Sequence, residues 1–164
     1  MTEPESGWSR EAVGMGGRSV IRGSLSHVDL TVADLPRSVD FYDRVLGRLG
    51  YRRRDAAGAG APCWGISDPA GGCFTIALKP ARPGSGATAH DRYTPGLHHL
   101  AFHADSRQDV DAFHGFLLGI GATILDPPAE YGYTPGYYAV FFIDPDGIKL
   151  EVVFEPELRG RAHQ

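Results

Sequence analysis

Three side chains of metal-ligating type stand where they could act on one ion together: His27, His99 and Glu151. Glu151 lies in YAVFFIDPDGIKLEVVF, residues 138–154, which reads as two apolar strands joined by the turn Asp144-Pro145-Asp146-Gly147. Proline presets φ in such a turn and glycine supplies the freedom to leave it. A strand has period two, so Leu150, Val152 and Phe154 share one face, and Lys149, Glu151 and Val153 share the other. An ionised carboxylate in the middle of such a strand costs several kcal/mol unless something compensates it. A cation is the simplest compensation. Two neutral imidazoles and one carboxylate would leave coordination positions open, which suits Fe(II), Mn(II), Ni(II) or Zn(II) acting on a bound substrate.

The elements that must position these groups form a repeat. Val28, Leu30 and Val32 alternate with His27, Asp29 and Thr31, which predicts a half-buried strand. Asp34 offers a helix N-cap, Pro36 fits the first turn, and Val39, Phe41, Tyr42, Val45 and Leu46 follow at helical spacing. The alternation returns in His99-Leu100-Ala101-Phe102-His103-Ala104. Asp105 or Ser106 then caps a second helix with Val110, Phe113, Leu117 and Leu118 on its apolar side. Asp68-Pro69-Ala70-Gly71 before Phe74–Leu78 parallels Asp144–Gly147 before Leu150–Val153. His99 follows His27 by 72 residues, and Asp144 follows Asp68 by 76. Order kept over strand, helix and turn marks a duplicated unit.

Each half therefore reads as strand, helix and three strands. This is an α+β chain of two modules, 24–79 and 96–156, with a flexible arm over 1–23 and a tail over 157–164. The Gly- and Pro-rich stretch 80–95 is expected to be a linker, and 126–136 an irregular, mobile rim. His27 and His99 fall at equivalent positions, and Thr75 is the counterpart of Glu151. If the modules face one another about a pseudo-twofold axis, all four point into one cavity.

Other residues join this site by type. Asp29 shares the face of His27 and could orient a ligand or act as a base, and Tyr133 stands with it as a candidate catalytic group. Thr75, His103, Tyr131, Tyr138, Phe141 and Lys149 are candidate substrate contacts. His103 is about 13 Å along the strand from His99, at the cavity rim. Lys149 would meet an anionic group. Tyr131, Tyr133, Tyr137 and Tyr138 suggest an aromatic wall for a flat ligand.

Composition narrows the class. The chain has 164 residues, 42% hydrophobic, with 22 Gly and 12 Pro, which suits short strands and tight turns. A net charge of -4 argues against nucleic acid or an anionic membrane as partner. No apolar run is long enough to span a bilayer, and no signal-peptide core precedes residue 23, so a cytoplasmic protein is expected. Cys63 and Cys73 are expected to be plain thiols.

The motifs HVDLTVADLPRSVDFYDRVLG, HHLAFHA and YYAVFFIDPDGIKLEVV together resemble the vicinal oxygen chelate superfamily, over residues 25–154. That superfamily includes glyoxalase I, extradiol dioxygenases, fosfomycin-resistance proteins and bleomycin-binding proteins. The resemblance implies paired βαβββ modules forming an open mixed β barrel around a divalent metal held by His27, His99 and Glu151, and a homodimer. It implies lyase, isomerase or ring-cleaving dioxygenase chemistry on a substrate bound through vicinal oxygens. The alternative is antibiotic or natural-product binding without turnover, as in resistance by sequestration. The chain departs from its branches at particular residues. Thr75 stands where glyoxalase I carries a fourth carboxylate ligand. Phe141 stands where extradiol enzymes carry a tyrosine, and Gly84-Ser85 occupies the region of their acid/base histidine. Asp29 stands where fosfomycin-resistance proteins usually have threonine.

Overall fold

The computed structural model describes residues 23–54, 60–67, 72–85 and 89–157. The expected N-terminal arm before residue 23, the tail beyond 157 and the turn at 68–71 lie outside the described residues.

The first half contains β1 (His27–Val32), α1 (Leu35–Arg48), β2 (Arg52–Arg53), β3 (Cys63–Ser67) and β4 (Cys73–Pro80). The second contains β5 (Leu100–His103), α2 (Arg107–Gly119), β6 (Thr123–Glu130), β7 (Tyr138–Ile143) and β8 (Lys149–Phe154). The α+β plan of two βαβββ modules is the one expected. The helices begin and end by the same chemistry. Asp34 accepts the Arg37 N–H at 3.0 Å, and Ser106 accepts the Asp109 N–H at 3.1 Å. At the far ends Tyr51 N–H bonds Leu46 O and Ala122 N–H bonds Leu117 O, while Gly50 and Gly121 take positive φ. Both are Schellman caps, which require a residue tolerant of the left-handed region.

Each half forms one four-stranded mixed sheet, ordered β1-β4-β3-β2 and β5-β8-β7-β6. The sheets do not close into a barrel among the described residues. One apolar core runs through both halves, taking Leu30, Trp64 and Leu78 from the first and Phe102, Phe113, Phe142 and Leu150 from the second. The opposite faces are left for the site.

The turn at 144–147 does more than reverse the chain. Asp144 is 3% exposed and accepts the N–H groups of Asp146 (2.9 Å) and Ile148 (2.8 Å) and the hydroxyl of Tyr42 on α1 (3.0 Å). Asp146 accepts from Arg37 and Ser38 of α1 and from the Ala33 N–H, each at 3.2 Å. The second half is thereby clamped onto the N-terminal part of α1. Burial raises the Asp144 pKa, although the Ile148, Tyr42 and Asp146 bonds oppose the shift.

One stretch differs from the sequence expectation. Residues 126–130 are strand, because β6 is a sheet edge where Pro127 and Pro128 remove no ladder bond that a central strand would need. Its pairing with β7 shifts register around Asp126 and Ala129. In the expected linker, Ala89 and His90 lie beside Gly147. His90 donates its backbone N–H to Asp146 O at 2.8 Å, and its Nε2 lies 2.8 Å from Leu97 O. Cys63 and Cys73 are not joined in a disulfide, as expected.

Candidate functional site

Glu151 sits in the middle of β8, 1% exposed, with Phe141 opposite it on β7 and Ala101 opposite it on β5. Its Oε2 lies 3.2 Å from His99 Nε2, and its Oε1 accepts the Tyr137 hydroxyl at 2.5 Å. Burial raises the carboxyl pKa, and the Tyr137 bond and the field of Lys149 work against that shift. His99 precedes β5 and is about one-third exposed; its Nδ1 lies 2.7 Å from His98 Nδ1. Desolvation, then Lys149, lower the His99 pKa. A lowered pKa keeps the imidazole neutral, which is the form that ligates a metal.

The wall beside this pair is aromatic. Ala139, Phe141 and Val153 form a small buried cluster with Leu125, Tyr131 and Tyr137. The Phe141 ring meets Tyr131 edge-on at 5.1 Å and His99 edge-on at 6.5 Å. Lys149 Nζ stands 3.7 Å from the Phe141 ring centroid, and no ion pair is formed by this lysine among the described residues. Tyr131 and Tyr133 stack at 5.9 Å, and Tyr133 remains 70% exposed.

The tyrosine rim at 131–137 is pinned. Tyr131 N–H bonds Tyr137 O at 3.0 Å, Tyr137 N–H bonds Thr134 O at 3.1 Å, and Thr134 Oγ1 donates to Glu155 at 3.1 Å. Gly136 has φ +80°, and a Cβ there would lie 2.8 Å from Pro156 Cγ. The mobility expected of this rim is therefore opposed by three hydrogen bonds.

The remaining candidates fall in three places. His103 shares the Glu151 face, level with Val153, and is exposed beside Arg48, Leu49 and Asp105. Tyr138 lies on the other side of β7, where its hydroxyl donates to Asp111 at 2.8 Å and Arg107 covers its ring at 5.0 Å. It faces α2 and stands apart from Glu151. His27, Asp29 and Thr75 share the outer face of the first sheet. His27 is exposed, level with Thr75, with Nδ1 3.4 Å from Ser26 Oγ, and Asp29 pairs with Lys79 at 3.5 Å.

Among the described residues no three His, Cys, Asp or Glu side chains gather as a ligand group. The chain thus brings His99 to Glu151 and leaves His27 apart. The donor chemistry of the pair, one carboxylate oxygen and one imidazole nitrogen kept neutral, fits a divalent transition metal. Tyr137 was visible in the sequence only as part of an aromatic wall. Its parity was the missed signal: it lies two and four residues before Ala139 and Phe141, and so shares their face and that of Glu151.

A family model for the Glyoxalase/Bleomycin resistance protein/Dioxygenase superfamily matches residues 24–152. YqjT of Bacillus subtilis (strain 168) is 33% identical over 130 residues, covering 79% of this chain and 97% of its own. The crystal structure of a glyoxalase candidate from Bacillus halodurans is 31% identical, with a TM-score of 0.69, covering 82% of this chain and 97% of that one. A genomically encoded fosfomycin resistance protein from Listeria monocytogenes, at 19% identity, shares the fold with a TM-score of 0.54 over 82% of this chain and 95% of its own. Together with the duplicated βαβββ plan, the match over most of the chain places this protein in the Glyoxalase/Bleomycin resistance protein/Dioxygenase superfamily.

Proposed function

We propose that this protein is a divalent-metal-dependent enzyme that binds its substrate through two neighbouring oxygens at the His99–Glu151 pair. The observation that carries this reading is a carboxylate buried to 1% exposure that faces an imidazole 3.2 Å away. Burying a carboxylate beside a neutral ring is costly, and a cation between them removes that cost. His99, Glu151 and His27 would hold the ion, with Fe, Mn, Ni or Zn as the candidates. Such an ion acts as a Lewis acid on the bound oxygens, which suits lyase, isomerase or ring-cleaving dioxygenase chemistry. Lys149, held over the Phe141 ring, would meet a negative oxygen of the substrate, and Tyr131 and Tyr133 would border it.

In this reading His27 comes from a second copy of the chain. The first-sheet face bearing His27, Asp29 and Thr75 is open, while the partly exposed His99 leaves the Glu151 site accessible from one side. A homodimer that sets the first-half face of one copy on the second-half face of the other completes the triad and supplies Asp29 as base. His27→Ala and Glu151→Ala are each expected to bind no metal at the site. Refolding the two variants together should restore binding in part, since mixed dimers contain one intact triad. Mixed dimers that still bind no metal would overturn the shared site.

The stacked Tyr131–Tyr133 pair, 7° from parallel, favours a second reading: a protein that holds a flat natural product or antibiotic without turnover. The discriminating observation is whether a bound aromatic compound is recovered unchanged, and with the same affinity after chelator treatment.

A further inference from the structure

The Tyr137 hydroxyl makes the shortest contact to the site, 2.5 Å to Glu151 Oε1. The other carboxylate oxygen, Oε2, is the one that faces His99. Tyr137 is itself fixed from three directions: its ring stands edge-on to Tyr133 at 5.1 Å and to Tyr131 at 6.5 Å, and its backbone bonds Tyr131 and Thr134. A carboxylate so held offers one oxygen outward and keeps the other occupied. We propose that Tyr137 is a positioning residue of the metal centre, holding Oε1 of Glu151 so that only Oε2 is presented to the ion.

This rests on the metal reading above and goes beyond it, because it assigns a residue outside the triad and fixes how Glu151 binds. A carboxylate held by a hydrogen bond loses its rotational freedom before the metal arrives, so less entropy is lost on binding. Freed of the phenol, Glu151 could turn and offer both oxygens. It also explains how the chain tolerates Phe141 at the position directly opposite Glu151: the phenol that reaches this face stands four residues earlier in sequence, at Tyr137.

The test is titration of the purified protein with Co(II), followed by its visible absorption, in wild type, Tyr137→Phe and Tyr138→Phe. Tyr137→Phe keeps the ring and its contacts and removes only the hydroxyl. It should weaken Co(II) binding by roughly 10- to 100-fold and alter the d–d spectrum as the carboxylate changes its mode. Tyr138→Phe, which removes a hydroxyl that bonds Asp111 on the other side of β7, should match wild type in both. Tyr137→Phe that binds Co(II) as tightly as wild type, with the same spectrum, overturns the positioning role while the metal reading stands. Wild type that binds no Co(II) overturns both. Should Tyr137→Phe not fold, the wild-type protein answers by NMR. A Tyr137 hydroxyl proton that is protected from exchange, and is lost in Glu151→Ala, supports the role; its absence in wild type overturns it.

Discussion

The two halves of this protein share a plan and diverge in what they do with it. Both cap their helices with the same side-chain and Schellman chemistry, and both build a four-stranded sheet with one parallel pair. In the first half β1 pairs with β4 so that His27 stands level with Thr75. In the second half it is Ala101, two residues beyond His99, that stands level with Glu151. A slip of two residues keeps every side chain on its face, so the repeat survives it. It moves the histidine past the strand end, however, and leaves a methyl group beside the carboxylate. The first-half face carries an exposed Asp29–Lys79 pair, and the second-half face carries a buried carboxylate under a pinned tyrosine rim. Duplication supplied two equivalent faces, and among the described residues the second half alone holds a buried acid.

The largest effect is expected where the halves join. Asp144→Ala removes the acceptor of two backbone N–H groups and the Tyr42 hydroxyl, all buried or half-buried, and should cost about 3 kcal/mol in urea unfolding. The same site sets a pH dependence. Because the folded Asp144 pKa is raised, its stabilising share is complete below the unfolded carboxyl range and is lost as pH rises through the raised folded value. Thermal scans of the metal-free protein should therefore show Asp144→Asn losing less stability than wild type as pH rises from about 4, the unfolded Asp value. An unchanged pH slope would mean that Asp144 is not ionised at the cost its burial implies.

Gly136→Ala comes next. The left-handed φ and the 2.8 Å approach to Pro156 should cost about 1–3 kcal/mol and shift the tyrosine rim, read as lost protection of the Tyr131 and Tyr137 amides in hydrogen exchange. The smallest effect belongs to the first-half face. Asp29→Ala breaks an exposed ion pair at 3.5 Å and should change stability by under about 1 kcal/mol. A loss as large as that of Asp144→Ala would show that this ion pair carries more than an exposed pair can.

Much of this was legible in the sequence because it is local. Asp34 and Pro36, Gly50 and Gly121, and the Asp144–Gly147 turn each act within a few residues, so composition and spacing suffice to place them. Strand parity likewise placed Lys149 and Glu151 on one face. What stayed hidden depends on how elements meet. The two-residue slip of β5 conserves parity and so leaves no mark on the alternation. Tyr138 looked like part of the aromatic wall because it is one of four neighbouring tyrosines, yet it lies across β7 on the side of α2. Asp126–Glu130 looked irregular because of its prolines, which an edge strand accepts. The repeat also gave the equivalence of His27 and His99 without the distance between them.

The central claim is that the second half holds a divalent metal at Glu151 and His99. It is tested by the metal content of the protein purified without added metal, measured beside Glu151→Ala and Thr75→Ala, the equivalent change in the other half. Near-stoichiometric Fe, Mn, Ni or Zn is expected in wild type and Thr75→Ala, and none in a folded Glu151→Ala. Wild type that is metal-free and takes up none of the four on addition would contradict it.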